Sequence, residues 1–288
     1  MNKSVLEFGR EINLEKKFRK NSFFIPFVTI LSASLLLSGI YFCIILFQKH
    51  QYWSVIPAAF LIHSFFVVVV HDAAHNSITK TKFDRVILNL GAGIMLLPFY
   101  GEAFRKFHLI HHAQTNKEND PLWSPLKQQL FQKNRILYLL FEIVPLFSTI
   151  YSVLNFSKSQ KTKPKAHNIK SVKINYWFML TACLVSVGIY FLVKPPLWFL
   201  LGTLFILNII STLRHWSEHL GEEKNKESNT YWFPLGMGIG NHETHHHHAY
   251  MSWFTLMIGL FYRKKDTHPL KVIQGVMISR KYEHYRSE

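Results

Sequence analysis

The chain has 288 residues, 49% of them hydrophobic and 17% charged, yet its formal net charge is +16, so apolar runs must alternate with basic segments. Its 25 Phe, 12 Tyr and 7 Trp suit a protein that meets lipid and the membrane interface, and no nucleic-acid partner is expected. The two cysteines, Cys43 and Cys183, both fall inside apolar runs and read as packing residues rather than as a disulfide or a metal pair.

Residues 1–22 are polar, carry 6 Lys or Arg, and read as an interfacial arm. The apolar stretch behind them is too long for the core of a cleaved signal peptide. Residues 23–47, "FFIPFVTILSASLLLSGIYFCIILF", run 25 positions without a charge and form the first predicted membrane span. A second span, residues 53–70, ends directly at His71. Residues 86–101 are apolar but short, and residues 136–156 are long enough but contain Glu142 and Pro145. A charge at a helix centre costs a few kcal/mol in a bilayer. Both stretches are therefore expected to be interfacial or re-entrant helices. The Lys-rich segment 157–170 reads as a solvated surface loop. The third and fourth spans, residues 174–193 and 197–213, are separated by Lys194, Pro195 and Pro196.

Basic residues accumulate on the cytoplasmic side of membranes. Here the arm holds 6 of them, residues 72–173 hold 15 and residues 214–288 hold 10, which leaves Lys49 and Lys194 for the two short outer turns. The expected fold is an all-α integral membrane protein, a single domain over 1–288. It has four transmembrane helices in two hairpins, and a cytoplasmic cap of interfacial helices formed by residues 72–173 and 214–288.

Of the 17 histidines, ten fall in four short groups. "HDAAH" holds His71 and His75; "HLIHH" holds His108, His111 and His112; "HWSEH" holds His215 and His219; "HETHH" holds His242, His245 and His246. Spacings of three and four put side chains on one helix face, so each group can aim its imidazoles at a common point. The first and third groups sit at the ends of the second and fourth spans. Two crossings lie between them, so all four groups reach one side of the membrane. A single HxxxH arises by chance too often to carry weight, but four such groups on one side point to a shared metal centre. Ten nitrogens exceed the needs of one ion, and two ions with about five each is the natural division. A closed zinc site uses four ligands. Imidazole also suits copper, iron and nickel, and spacing alone leaves the metal open.

At these residues the chain resembles the membrane fatty-acid desaturases, a histidine-box superfamily that also contains hydroxylases and ketolases. The likeness covers about residues 23–260. Its most specific part is "FRKFHLIHHAQTNKENDP", and the last box is similar to N-x-H-x-x-H-H with one residue missing after Asn241. The resemblance implies two iron ions at the cytoplasmic membrane face. It carries a ligand role over to His71, His75, His108, His111, His112, His219, His242, His245 and His246. His215 is taken as a direct ligand as well, although animal-type acyl-CoA desaturases have an asparagine and a water at the equivalent point. His247 and His248 replace the apolar residues that usually follow and allow a shifted register through His242, His246 and His247. Asp72, Asp120, Glu218 and Glu243 lie beside the boxes, where a carboxylate can take the second N–H of a ligating imidazole. Arg105 and Arg214 can pair with those acids or with an anionic substrate; Trp123 and Trp216 read as packing residues. His63, inside the second span, either lines a substrate path or packs against another helix.

The expected activity is an O2-dependent oxidation of an unactivated C–H bond in an acyl chain, most simply desaturation, with hydroxylation or ketolation as the alternative. Two rivals come from other classes. His242, Glu243 and His246 spell a zinc-protease motif, which leaves the other boxes idle. A divalent-metal transporter places ligands near mid-membrane, not at span ends. The oxidation needs two electrons per cycle, and the sequence offers no haem, iron–sulfur or dinucleotide motif of its own. An external donor such as ferredoxin, rubredoxin or cytochrome b5 is therefore expected, together with an acyl substrate linked to coenzyme A, a carrier protein or a membrane lipid.

Overall fold

The computed structural model describes residues 3–117, 120–122, 125–144, 147, 151, 173–221, 226–279 and 283–284. The chain is mainly helical. A polar helix, α1 (Lys3–Arg19), leads into α2 (Phe24–Gln48), and a tight turn at His50, which takes a left-handed conformation at φ 64°, connects it to α3 (Tyr52–Ala74). Two helices follow, α4 (Asp84–Ile94) and α5 (Tyr100–Gln114), then two short ones, α6 (Pro125–Lys133) and α7 (Arg135–Ile143). Next come α8 (Tyr176–Val193) and α9 (Leu197–His219). The C-terminal part contributes α10 (His242–His247), α11 (Trp253–Tyr262) and α12 (Pro269–Met277). A two-residue strand β1 (Leu220–Gly221) pairs antiparallel with β2 (Glu283–His284).

Helices α2, α3, α8 and α9 are long and apolar enough to cross a membrane. They match the four predicted spans to within a few residues, except that α9 runs on to His219 and α3 on to Ala74, so both carry histidines in their last turns. The spans are not equivalent. In α3, 61% of the apolar window is buried, against 22%, 6% and 22% for α2, α8 and α9, which makes α3 the central helix. It packs against both α2 and α9, while α8 packs mainly on α4. Consecutive spans α8 and α9 are joined at Lys194, left-handed at φ 46°, with Pro195 and Pro196 preventing continuation.

Helix α4 covers residues 86–94 of the predicted interfacial stretch 86–101, whose last two residues open α5, and it packs against both α3 and α8. Two glycines permit this. A Cβ on Gly91 would stand 2.8 Å from Val69 Cγ1, and one on Gly93 would stand 2.8 Å from the carbonyl oxygen of Ala182. Of the stretch 136–156, α7 covers the first part with Glu142 buried against Lys127 at 2.9 Å, and most of the rest lies outside the described residues. The segment 157–170 also lies outside them, as does Trp123. Trp216 is buried, its indole donating to Tyr138 Oη at 3.0 Å, in keeping with a packing role.

The main core forms around Phe65–Val70 of α3, with Ala73, Ala74, Ile78, Leu88, Ile239 and Trp253. Within α3, Phe66–His71 is a π-helical segment. This core is the floor on which the histidines stand.

Candidate metal centre

All ten box histidines are gathered in one region where α3, α5, α9 and α10 meet. His71, His75, His108 and His245 offer ring nitrogens that lie within 4.8 Å of one another, and His111, His219, His242 and His246 form a second such group. The local sequence makes this division possible. His108 and His111 are three apart on α5 and diverge far enough to serve separate groups; His245 and His246 are adjacent on α10, about 100° apart around the axis, and do the same. The first box gives both its residues to the first group, and the third box gives His219 to the second.

His112 lies between the groups, its ring centroid 4.6 Å from His75, 4.6 Å from His108, 4.7 Å from His245 and 4.3 Å from His246. His215, one turn before His219, has its ring 5.2 Å from that residue. Neither belongs to the four-residue groups. His247 and His248 face away and pack on Phe8 of α1, with ring centroids 5.1 and 5.3 Å from it. The register therefore brings His242, His245 and His246 inward together. His63 is buried in α3 against Phe233 at 5.5 Å.

In the second group three of the four outer ring nitrogens are tied to the protein, that of His242 being the exception. His111 Nδ1 stands 2.9 Å from both carboxylate oxygens of Asp120, His219 Nδ1 is 3.2 Å from the Glu227 carbonyl and His246 Nδ1 is 3.2 Å from Thr115 Oγ1. A carboxylate or carbonyl holds the proton on Nδ1 and leaves the Nε2 lone pair free. Those lone pairs meet: His242 Nε2 is 3.3 Å from His219 Nε2 and 3.0 Å from His246 Nε2.

Glu218 Oε1 stands 3.6 Å from His242 Nδ1 and accepts from Arg214 and from Tyr231 Oη, each at 3.1 Å. Asp72 Oδ1 is 3.5 Å from His71 Nδ1, but its other oxygen takes the backbone N–H of Trp253 at 2.6 Å. Glu243 is half-buried in the first turn of α10.

Burial keeps six of these rings uncharged. It holds His75 down at about 3, and holds His108, His112, His242, His245 and His246 well below the ordinary histidine range, with neighbouring imidazoles adding to the effect. Among the described residues, His71, His112 and His245 have no hydrogen-bond partner on either ring nitrogen, and His75, His108 and His111 have none on Nε2. Unpartnered buried polar atoms are costly, so a cluster of them marks a place where something else binds. Neutral, convergent imidazole lone pairs are the donor set that a transition-metal ion takes, and these residues fit metal.

A cavity of about 160 Å³ opens beside the second group, lined by Tyr100, Phe104, Phe107 and Leu122 together with His108, His111, His219 and His242. Lys127 and Arg214 also reach it, each already paired with a carboxylate, Glu142 and Glu218. Neither the pairing of Thr115 with His246 nor that of Tyr231 with Glu218 is foreseen from the sequence. Thr115 had a local signal, one turn beyond His111 on the same helix face; Tyr231 comes from a distant loop and had none.

The family model described as fatty acid desaturase matches residues 16–258 of the chain. Among curated proteins, the chain is similar to a chloroplastic omega-6 fatty acid desaturase of Arabidopsis thaliana, 27% identical over 204 residues, which cover 67% of this chain and 44% of that protein. The chain thus spans less than half the length of that relative. No solved structure shows a significant match.

Proposed function

The chain belongs to the fatty acid desaturase family, and from that premise we propose that it is an O2-dependent, membrane-bound di-iron oxidoreductase acting on an unactivated C–H bond of an acyl chain. Desaturation is the simplest outcome, and hydroxylation or ketolation the alternative. The observation that carries the reading is the pair of buried four-imidazole groups, side by side with His112 between them. His71, His75, His108 and His245 would hold one ion and His111, His219, His242 and His246 the other, with His112 and His215 as the remaining candidate ligands. What a bound iron pair supplies is activation of dioxygen for hydrogen removal.

The protein's own residues do the rest. Asp120, the Glu227 carbonyl and Thr115 fix ring orientation from outside, and Glu218 stands ready to do so for His242. The aromatic wall of Tyr100, Phe104 and Phe107 offers an apolar chain a dry seat beside the histidines. Because Lys127 and Arg214 are neutralised by Glu142 and Glu218, the seat does not attract an anion, and a charged head group remains outside it. That head group, whether coenzyme A, a carrier protein or a membrane lipid, suits the basic face.

An even number of crossings between the first and third boxes supports a common side for all four, and the packing of α1 on α11 supports the N-terminal arm being there too. The basic residues of that side support its being cytoplasmic. The two electrons come from an external donor such as ferredoxin, rubredoxin or cytochrome b5. Expression in a host lacking the activity, followed by mass spectrometry of lipid acyl chains, tests the reading: a new double bond or hydroxyl is expected, and its loss in His111→Ala and His245→Ala. An unchanged acyl profile across candidate donors, from protein that binds no iron, overturns it.

A further inference from the structure

Helix α1 turns one face toward the C-terminal part of the protein. Phe8, Glu11, Glu15 and Arg19 follow at spacings of three or four residues, and the first three are 2%, 4% and 2% exposed. Phe8 packs on His247 and His248, and Glu11 pairs with Arg263 at 2.9 Å. A buried carboxylate is costly unless fully engaged, and Glu15 is. Its Oε2 accepts from Ser252 Oγ at 2.9 Å, from Ser252 N at 3.3 Å and from Thr255 Oγ1 at 2.5 Å, while its Oε1 pairs with Arg19 Nε at 2.7 Å.

These contacts close on themselves. Arg19 donates onward to the carbonyl of Ile78 at 2.8 Å and to that of Ser77. Ser77 donates its N–H and its hydroxyl to the Asp72 carbonyl, at 3.0 and 2.9 Å. Asp72 takes the Trp253 N–H at 2.6 Å, and Trp253 follows Ser252. Glu15 and Asp72 thus bring two carboxylates from distant parts of the chain to the first turn of α11, where the free N–H groups and the helix dipole favour negative charge.

We infer that Glu15 is a positioning residue for the histidine centre: through Arg19, Asp72 and the first turn of α11, the N-terminal arm fixes the last histidine group against the first. The inference rests on the metal-binding reading above. Asp72 adjoins His71, and α11 begins seven residues after His246. The His71 and His245 rings lie 4.5 Å apart, on opposite sides of this junction, so a shift of α11 relative to α3 spoils the first group.

The test compares wild type with Glu15→Ala and Arg19→Ala, which open the circuit at two points, and with Val272→Ala, buried in α12 outside it. Each protein is purified in detergent, loaded with ferrous iron and challenged with a chelator at the same interval below its own melting temperature. The two circuit variants are expected to lose iron about 10- to 100-fold faster than wild type, as for other residues that orient ligands. Their bound iron should also give an altered Mössbauer spectrum, which a fall in global stability alone would not produce. Glu15→Gln, which keeps an acceptor for Ser252 and Thr255, should fall between. Should Glu15→Ala fail to fold, Ser252→Ala and Thr255→Val remove only the two hydroxyl donors and carry the test. Wild-type retention in the circuit variants, or equal loss in Val272→Ala, overturns the inference. Wild type that binds no iron at all overturns the metal reading instead.

Discussion

Asp120 grips His111 with both carboxylate oxygens, each 2.9 Å from Nδ1, while also accepting the backbone N–H groups of Asn116 and Leu122 at 3.0 and 2.9 Å. The carboxylate fixes the ring and the loop behind it in one arrangement. Asp120→Ala frees the ring and should lower metal affinity about 10- to 100-fold with little loss of helix content; Asp120→Asn keeps one acceptor and should lose less. Metal analysis and circular dichroism of the two purified variants check this.

The buried imidazoles also set an acid limit. Because burial lowers their affinity for protons in the native state, the unfolded chain binds more protons below its ordinary histidine value of about 6.5. Stability is therefore at its full value above that pH and falls as pH drops toward the folded value of His75, about 3. Melting temperatures of the metal-free protein in detergent, taken from about pH 7.5 to about pH 5, should fall steadily, and a variant with His75, His108 and His245 replaced by Gln should show a flatter profile. Equal slopes would contradict this.

Two adjacent histidines should behave in opposite ways. His246 faces the second group, whereas His247 is exposed and packs on Phe8. His246→Ala should abolish activity and reduce bound metal; His247→Ala should leave metal content at the wild-type level. The reverse pattern would establish the shifted register through His247.

Gly93 has no room for a methyl group. A Cβ there meets the Ala182 carbonyl at 2.8 Å and Val185 Cβ at 2.9 Å, so Gly93→Ala must push α4 away from α8. A cost of about 1–3 kcal/mol is expected, read as a lower melting temperature in detergent. Gly188→Ala, on an open face of α8, should be near neutral by the same measurement.

Much of this architecture is written locally. The four spans are legible because a charge-free run of the right length has few other homes, and the histidine groups because spacings of three and four survive as helix faces. How the boxes divide into two groups is not legible. His111 and His112 are neighbours in the chain, yet one enters the second group and the other lies between the groups, a choice made by how α5 is rotated against α3 and α10. The acids show the same limit. Asp120 and Glu218 are near enough in sequence to be suspected. Asp72 draws notice for its place beside His71, but its shortest contact is the Trp253 N–H, 181 residues away. Glu15 gives no signal, since an acid in a polar arm looks solvated until the partner helix is in place.

The π-helical segment Phe66–His71 gives α3 two independent phases. Each residue advances an α-helix by about 100°, so the wider turn sets the upstream helix, whose faces meet α2 and α9, at a different rotation from the turn that carries His71 and His75. The helix can thus obey its neighbours at one end and aim ligands at the other, with the slack taken up by a run of four valines, Val67–Val70, that is buried throughout. Forcing that segment into regular α-helix without shortening it would turn the first box by about 100° away from its partners while leaving the hydropathy of the span almost untouched. A lesion of that kind would be invisible to composition and fatal to the centre.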